Sequence, residues 1–415
     1  MDAALVDRLS RGEGWALLSA LPPYDEAGSL SLQESLRGAG FDAELVAAAM
    51  TQSRLRARAV EKFGDFAAGM LFTSDGLEQA TRLPIAARHA QRYAAAGVSL
   101  VHDLGCGLGS DAMALSSLEI EVRAVDSEPA TARVAAVNLR HWPSATVVCA
   151  RAEEVDLAVG GTAGDSMAGA WLDPARRVSG VADARGRTKR LFSLDAISPS
   201  WDQVQEVAGQ VPATGVKLSP SMPHGALPAG TEAQWTSWHG EVLECAVWWG
   251  PLVATTGRTA AVCTASSTSI VTQADAAPAR GHPGLTSVHD LGEWLYEPDR
   301  AVIRAGLTGA LVAAVDGAEL ATGVGYVTAA GAHELPWARR YRIIEAMPLS
   351  TKRLARWLRD QGHDRVTIKK RGVTLDADVL RRQLKMTGRG RRGSEATLVL
   401  TRVGGSQVAL VVSAA

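Results

Sequence analysis

Two acids and three glycines between positions 103 and 126 are spaced to bind a nucleoside-bearing ligand. Asp103 follows the apolar run 98–101, and Gly105, Cys106, Gly107, Leu108 and Gly109 come directly after it. Glycines at alternating positions let the backbone turn sharply and leave no Cβ between it and a ligand. Residues 110–118 are compatible with a helix, whose first N–H groups would face that ligand. A second apolar run, 122–125, closes on Asp126, which is placed to accept hydrogen bonds from two ribose hydroxyls. Asp173 and Pro174 end a further apolar run, 168–172, and Arg176 and Arg177 follow. A carboxylate at that strand end lies beside the ligand crevice of a doubly wound sheet. The two arginines are suited to gripping a phosphate or carboxylate.

The dinucleotide fingerprint G-x-G-x-x-G uses its third glycine to pack helix against strand. Here Ser110 stands three positions after Gly107, and the spacing is G-x-G-x-G with an acid two residues earlier. No pyrophosphate needs cradling if the ligand is S-adenosylmethionine (SAM), whose ammonium Asp103 could help to hold. Residues 103–109, Asp-Leu-Gly-Cys-Gly-Leu-Gly, resemble motif I of the class I SAM-dependent methyltransferases, and Asp126 fits that family's ribose-binding acid. The resemblance implies a cofactor site formed by Asp103, Gly105, Cys106, Gly107, Gly109, Asp126 and Ser127. In many members an acid just after the third strand contacts the adenine amine. Arg151 takes that position here, which leaves the Ala152 backbone or Glu153 for the contact. Residues 173–177, Asp-Pro-Ala-Arg-Arg, resemble the [DNS]-P-P-[FYW] motif IV of enzymes that methylate exocyclic amines of bases. Ala175 and Arg176 replace the second proline and the stacking aromatic. The resemblance implies that Asp173 and the Pro174 carbonyl aim the nucleophile at the methyl group; Arg176, Arg177 and Lys217 are candidate substrate contacts in their own right. Lys217 reads equally as a residue held within the sheet.

These groups need a scaffold. Residues 1–70 read as a helical region, with Asp42 as an N-cap, and 70–72 as a short strand. Thr73 and Thr81 fall in the segment that often lines the methionine end of the pocket in such enzymes. His89, on a helix over 85–96, reads as a surface or packing residue rather than a catalyst. Strands over 98–101, 122–125, 147–150, 168–172 and 216–218 alternate with helices over 110–118, 128–140 and 201–208, the pattern of a doubly wound α/β sheet. Residues 232–249 read as a sixth strand followed by a helix, and 259–263 as a seventh strand. The expected domains are a helical region at 1–70, a Rossmann-like methyltransferase domain at 71–270, a linker at 271–294 and a small α+β domain at 295–415. Within the last, a helix is expected over 300–311, an amphipathic helix over 351–359 and a hairpin turn at Gly404-Gly405. Residues 295–307 and 366–372 resemble the THUMP-like domain at the C-terminus of a family of bacterial class I methyltransferases. That resemblance implies an RNA partner.

The formal net charge of the 415 residues is −1, but residues 339–402 hold 18 Lys and Arg against 6 Asp and Glu. A local balance of +12 suggests a polyanionic partner. The basic clusters are Lys369-Lys370-Arg371 and 389–392, with Lys369, Lys370 and Arg371 as candidate RNA contacts. Four scattered cysteines without a C-x-x-C pair argue against a zinc site, and no metal is required. No targeting or membrane-spanning pattern is present, so a cytoplasmic protein is expected. The sequence therefore predicts a SAM-dependent methyltransferase acting on tRNA or rRNA at a nitrogen or oxygen. Its rivals are a small-molecule or protein methyltransferase, and an RNA-binding protein whose methyltransferase fold is inactive.

Overall fold

The computed structural model describes residues 1–157, 167–176, 194–279, 281, 283–384 and 394–414. They pack as two compact units, Met1–Ser219 with Ala246–Ala254, and Pro220–Cys245 with Thr255–Ala415. These units do not follow the expected boundaries at 270 and 295, since the second already begins at Pro220.

The first unit opens with helices Ala3–Leu9, Gly12–Ala20, Ser29–Gly38 and Ala43–Phe63. Asp42 caps the longest by accepting from the Leu45 N–H at 3.0 Å. The central strand, Val98–Leu104, pairs in parallel with Glu121–Asp126 on one side and Met167–Leu172 on the other. Glu121–Asp126 pairs with Ala145–Cys149, and Met167–Leu172 with Ala213–Leu218, again in parallel. Chain order thus runs outward from the central strand through the second and third, then returns to its other side for the fourth. That reversal opens a crevice at the carboxyl ends of Val98–Leu104 and Met167–Leu172. Helix Leu83–Ala95 leads into Val98–Leu104, and helices Ser110–Ser116, Pro129–Asn138 and Trp201–Gln210 lie between the strands.

Residues 70–72 are not a strand. The backbone of Leu71 and Phe72 is satisfied by two buried side-chain amides. Gln52 donates to the Phe72 carbonyl at 2.7 Å and accepts from its N–H at 2.9 Å. Asn138 accepts from the Leu71 N–H at 2.8 Å and donates to the Leu71 and Leu108 carbonyls at 3.0 Å. An extended apolar tripeptide looks like a strand in sequence, but its hydrogen-bonding partners here are side chains. Their effect is to fix the approach to Thr73.

The second unit contains a parallel pair, Glu232–Trp238 with Gly257–Cys263, and Thr268–Thr272 antiparallel to the latter. The helix expected within 232–249 is instead a strand, Glu241–Trp248. His239 and Gly240 link it to Glu232–Trp238 with φ of 50° and 85°, the two left-handed residues of a tight hairpin turn. The helix expected over 300–311 divides into Arg300–Arg304 and Thr308–Val315, with Gly306 at φ 68° between them.

A seven-stranded sheet has the order Ala318–Glu319, Val327–Ala329, Trp294–Pro298, Ala338–Pro348, Ser406–Ala414, Ser394–Val403, His363–Lys370. Gly404 and Gly405, at φ 54° and 81°, make the expected hairpin. Helices Thr351–Asp360 and Ala377–Gln383 send Leu354, Leu358 and Leu380 into one core with Leu398, Leu400 and Val411 of the sheet. Among the described residues no helix is long and apolar enough to cross a membrane.

Replacing Asn138 by Leu keeps the number of side-chain heavy atoms but orphans three buried backbone groups. We expect it to lower unfolding stability by about 2–4 kcal/mol, read by urea denaturation. A change under about 0.5 kcal/mol would show that these amide bonds do not hold the 70–72 segment.

Candidate active site

The carboxyl end of Val98–Leu104 runs straight into the glycine turn. The Gly105 and Cys106 N–H groups donate to the Val125 carbonyl at 2.8 and 2.9 Å, folding the turn back over the next strand. Gly105, Gly107 and Gly109 all adopt positive φ, at 88°, 55° and 84°. At Gly105 the requirement is also one of space, because a Cβ would stand 2.9 Å from the Asp173 carbonyl oxygen. At Gly107 a Cβ would meet nothing within 4 Å, so this part of the turn is open.

A cleft of about 730 Å³ lies against the turn. It brings together Gly105, Cys106, Gly107, Asp126, Ser127, Ala152, Glu153, Asp173 and Pro174, with Thr73 and Thr81 on its wall. Asp126 accepts from the Gly107 N–H at 3.1 Å and the Glu128 N–H at 2.9 Å. Burial lifts its carboxyl above the ordinary range, and these two N–H bonds work in the other direction. Glu153 is held by Arg151 at 3.3 Å and Gln203 at 3.2 Å. Cys106 is a buried thiol whose pKa burial pushes well up, in keeping with a packing role.

Asp103 and Gly109 lie behind the cleft. Gly109 faces Leu139, whose Cδ1 would be 3.3 Å from an added Cβ. Asp103 is 1% exposed, and its Oδ2 is buried without a hydrogen-bond partner. Burial, aided by the charges of Asp111, Asp173 and Asp126, pushes its carboxyl well above the usual range. Asp103 therefore sits beneath the turn and does not form part of the cleft lining.

Lys217 is also outside the lining, yet it is tied to the site. Its ammonium donates to Asp173 Oδ2 at 2.5 Å, to Thr81 Oγ1 at 3.1 Å and to the Gln79 carbonyl at 3.3 Å. Thr81 passes the network to Asp111 through its hydroxyl. Asp111 in turn pairs with His89 Nδ1 at 2.8 Å. Burial alone would raise the Asp111 carboxyl, but His89, Lys217 and Thr81 bring it below the ordinary value. His89 is packed against Trp171 and Trp248, at ring separations of 4.4 and 5.7 Å. Asp111 had no part in the sequence expectation. An acid in the first turn of the helix after a glycine loop was the available sign.

Arg176 contributes backbone to a two-residue ribbon with Ile197. Its side chain, Arg177, and the basic stretches 185–190 and 389–392 lie outside the described residues. In the second unit, Glu297 accepts from Lys369 at 2.5 Å and Arg371 at 3.4 Å, while Lys370 donates to the Leu375 carbonyl at 2.9 Å.

Residues 338–414 match the family model of the THUMP domain-like family, and residues 2–59 match a domain of unknown function, DUF8688. Uncharacterized S-adenosylmethionine-dependent methyltransferases from two strains of Mycobacterium tuberculosis are each 28% identical over 368 residues, covering 86% of this chain and 93% of theirs. A crystal structure from Porphyromonas gingivalis, of a protein provisionally named a methyltransferase, superposes with a TM-score of 0.70. It covers 95% of this chain and 100% of that one at 20% identity, which establishes the shared fold. Over most of its length the chain is similar to SAM-dependent methyltransferases, and its C-terminal part is similar to the THUMP-like family.

The residues of the cleft fit S-adenosylmethionine on structural grounds. The open turn at Gly107 leaves room for a ligand against the backbone, Asp126 presents a carboxylate for a ribose, and the surplus of acids suits a cationic ligand.

Because the Asp103 pKa is raised in the folded state, its contribution to stability is greatest below the unfolded value near 3.8 and is lost as pH rises toward the folded one. Asp103→Asn removes that dependence. We expect the variant to gain stability over the parent as pH rises from 4 to 7, measured by urea denaturation at both. An unchanged difference would mean that Asp103 carries its charge without penalty.

Proposed function

We propose that this methyltransferase transfers a methyl group from S-adenosylmethionine to a nitrogen or oxygen of RNA, in tRNA or rRNA. The observation that carries the transfer reaction is the meeting of the glycine turn, Asp126 and Asp173 on one cleft. The RNA substrate is supported by the THUMP-like domain at 338–414 and by the basic balance of the same part of the chain.

The bound cofactor supplies a methyl group activated by a sulfonium. Asp126 holds the ribose hydroxyls, with the carboxylate oriented by the Gly107 and Glu128 N–H groups. Glu153 or the Ala152 backbone takes the adenine amine. Asp173 and the Pro174 carbonyl accept the hydrogens of the incoming nucleophile and so direct its lone pair. Lys217 holds Asp173 in place through an ion pair at 2.5 Å. The chain contributes mainly positioning, an effect of about 7–11 kcal/mol in well-oriented intramolecular reactions.

Calorimetric titration with SAM, and separately with NADH, tests the cofactor. Micromolar SAM binding and no NADH binding are expected, and the reverse would remove the methyl-transfer reading. Asp126→Ala should weaken SAM by roughly 10- to 100-fold, from lost charged hydrogen bonds. Asp173→Ala should leave SAM affinity intact while abolishing methylation of total RNA by labelled SAM. Full turnover by that variant would dismiss Asp173 as the orienting acid. Affinity for SAM should also fall on acidification, starting above the usual aspartate range because the Asp126 pKa is raised.

A further inference from the structure

The strongest excess of positive charge that the fold leaves unpaired is on one helix. Thr351–Asp360 carries Lys352, Arg353, Arg356 and Arg359, all exposed. None of the four makes an ion pair among the described residues, and Asp360 is the one acid of the helix. At 3.6 residues per turn, Lys352, Arg356 and Arg359 fall within about 60° of one another and extend over about 10 Å of axis. A nucleic acid presents several phosphates over that length. Arginine forks suit phosphate in particular. Trp357 lies about 100° round the helix from Arg356, half-buried against the core and stacked on His363 at 5.6 Å and 18° between planes.

The opposite side of the helix is already used. Leu354 and Leu358 are fully buried in the core beneath it, so no apolar face remains to enter a lipid surface. The cluster that stands out in sequence is less available, because Lys369 and Arg371 share the Glu297 carboxylate.

We propose that the outer face of Thr351–Asp360 is the docking surface for the phosphate backbone of RNA. This assignment rests on the RNA reading given above.

The test is fluorescence anisotropy of the full chain with labelled bulk tRNA across a salt series. It compares the parent with Lys352→Gln/Arg353→Gln/Arg356→Gln/Arg359→Gln and with Lys369→Gln/Lys370→Gln/Arg371→Gln. Glutamine keeps helix propensity, and unchanged thermal unfolding verifies each variant. A milder Lys352→Gln/Arg359→Gln pair serves if the fourfold variant does not fold. The helix variant should lose at least about tenfold in affinity, and its log–log salt slope should shrink by about 2–4. The strand variant should change less. If the parent binds RNA and the helix variant matches it in affinity and slope, the helix face is not the dock, although the RNA reading stands. If the parent does not bind RNA even at low salt, the RNA reading itself falls. Competition by polyglutamate as strong as by unlabelled RNA would make the surface a general polyanion site and overturn the assignment to RNA.

Discussion

The active cleft depends on how closely two backbones approach each other. The Asp173 carbonyl oxygen lies where a side chain at position 105 would begin, and the Asp173 N–H donates to the Leu104 carbonyl at 3.2 Å. The parallel pairing of Val98–Leu104 with Met167–Leu172 puts both residues at the reversal of strand order. The glycine turn and Asp173 are therefore joined through backbone, with no flexible side chain between them. Such a link holds reacting groups to within the small tolerances that positioning catalysis demands.

The same geometry concentrates acids, and each of them needs a partner when removed from water. Asp111 has His89 and Thr81, Asp173 has Lys217, and Asp126 has two backbone N–H groups. Asp103 Oδ2 alone among these is buried without one. The sum is a cleft whose fixed charge is negative even after Lys217 and His89 are counted. A cationic cofactor is the kind of ligand that offsets this field.

The parts of the site that were legible in sequence are those written locally. A turn of alternating glycines bounded by two strands, and acids at the strand tips, depend on neighbours a few residues away. What could not be read depends on distant ones. Residues 70–72 looked like a strand because nothing nearby shows that Asn138, 67 positions on, supplies their hydrogen bonds. The Lys217–Thr81–Asp111–His89 network joins four elements, and no spacing announces it. Residues 241–248 suited a helix as well as a strand, and the choice falls to a turn at His239 and Gly240 whose left-handed conformations are not the commonest hairpin signal.

Charge shows the same division between composition and surface. The basic balance of residues 339–402 counts every Lys and Arg alike, yet the fold treats them differently. On the strands, Arg340 meets Glu334, Arg342 meets Glu293, and Lys369 and Arg371 meet Glu297, the last 72 and 74 residues earlier in the chain. On the Thr351–Asp360 helix the apolar side is consumed by the core, so the cations must face outward, and among the described residues no acid comes to meet them. A run of positive charge becomes a binding surface only where the fold leaves it unneutralised, and here that happens on the helix.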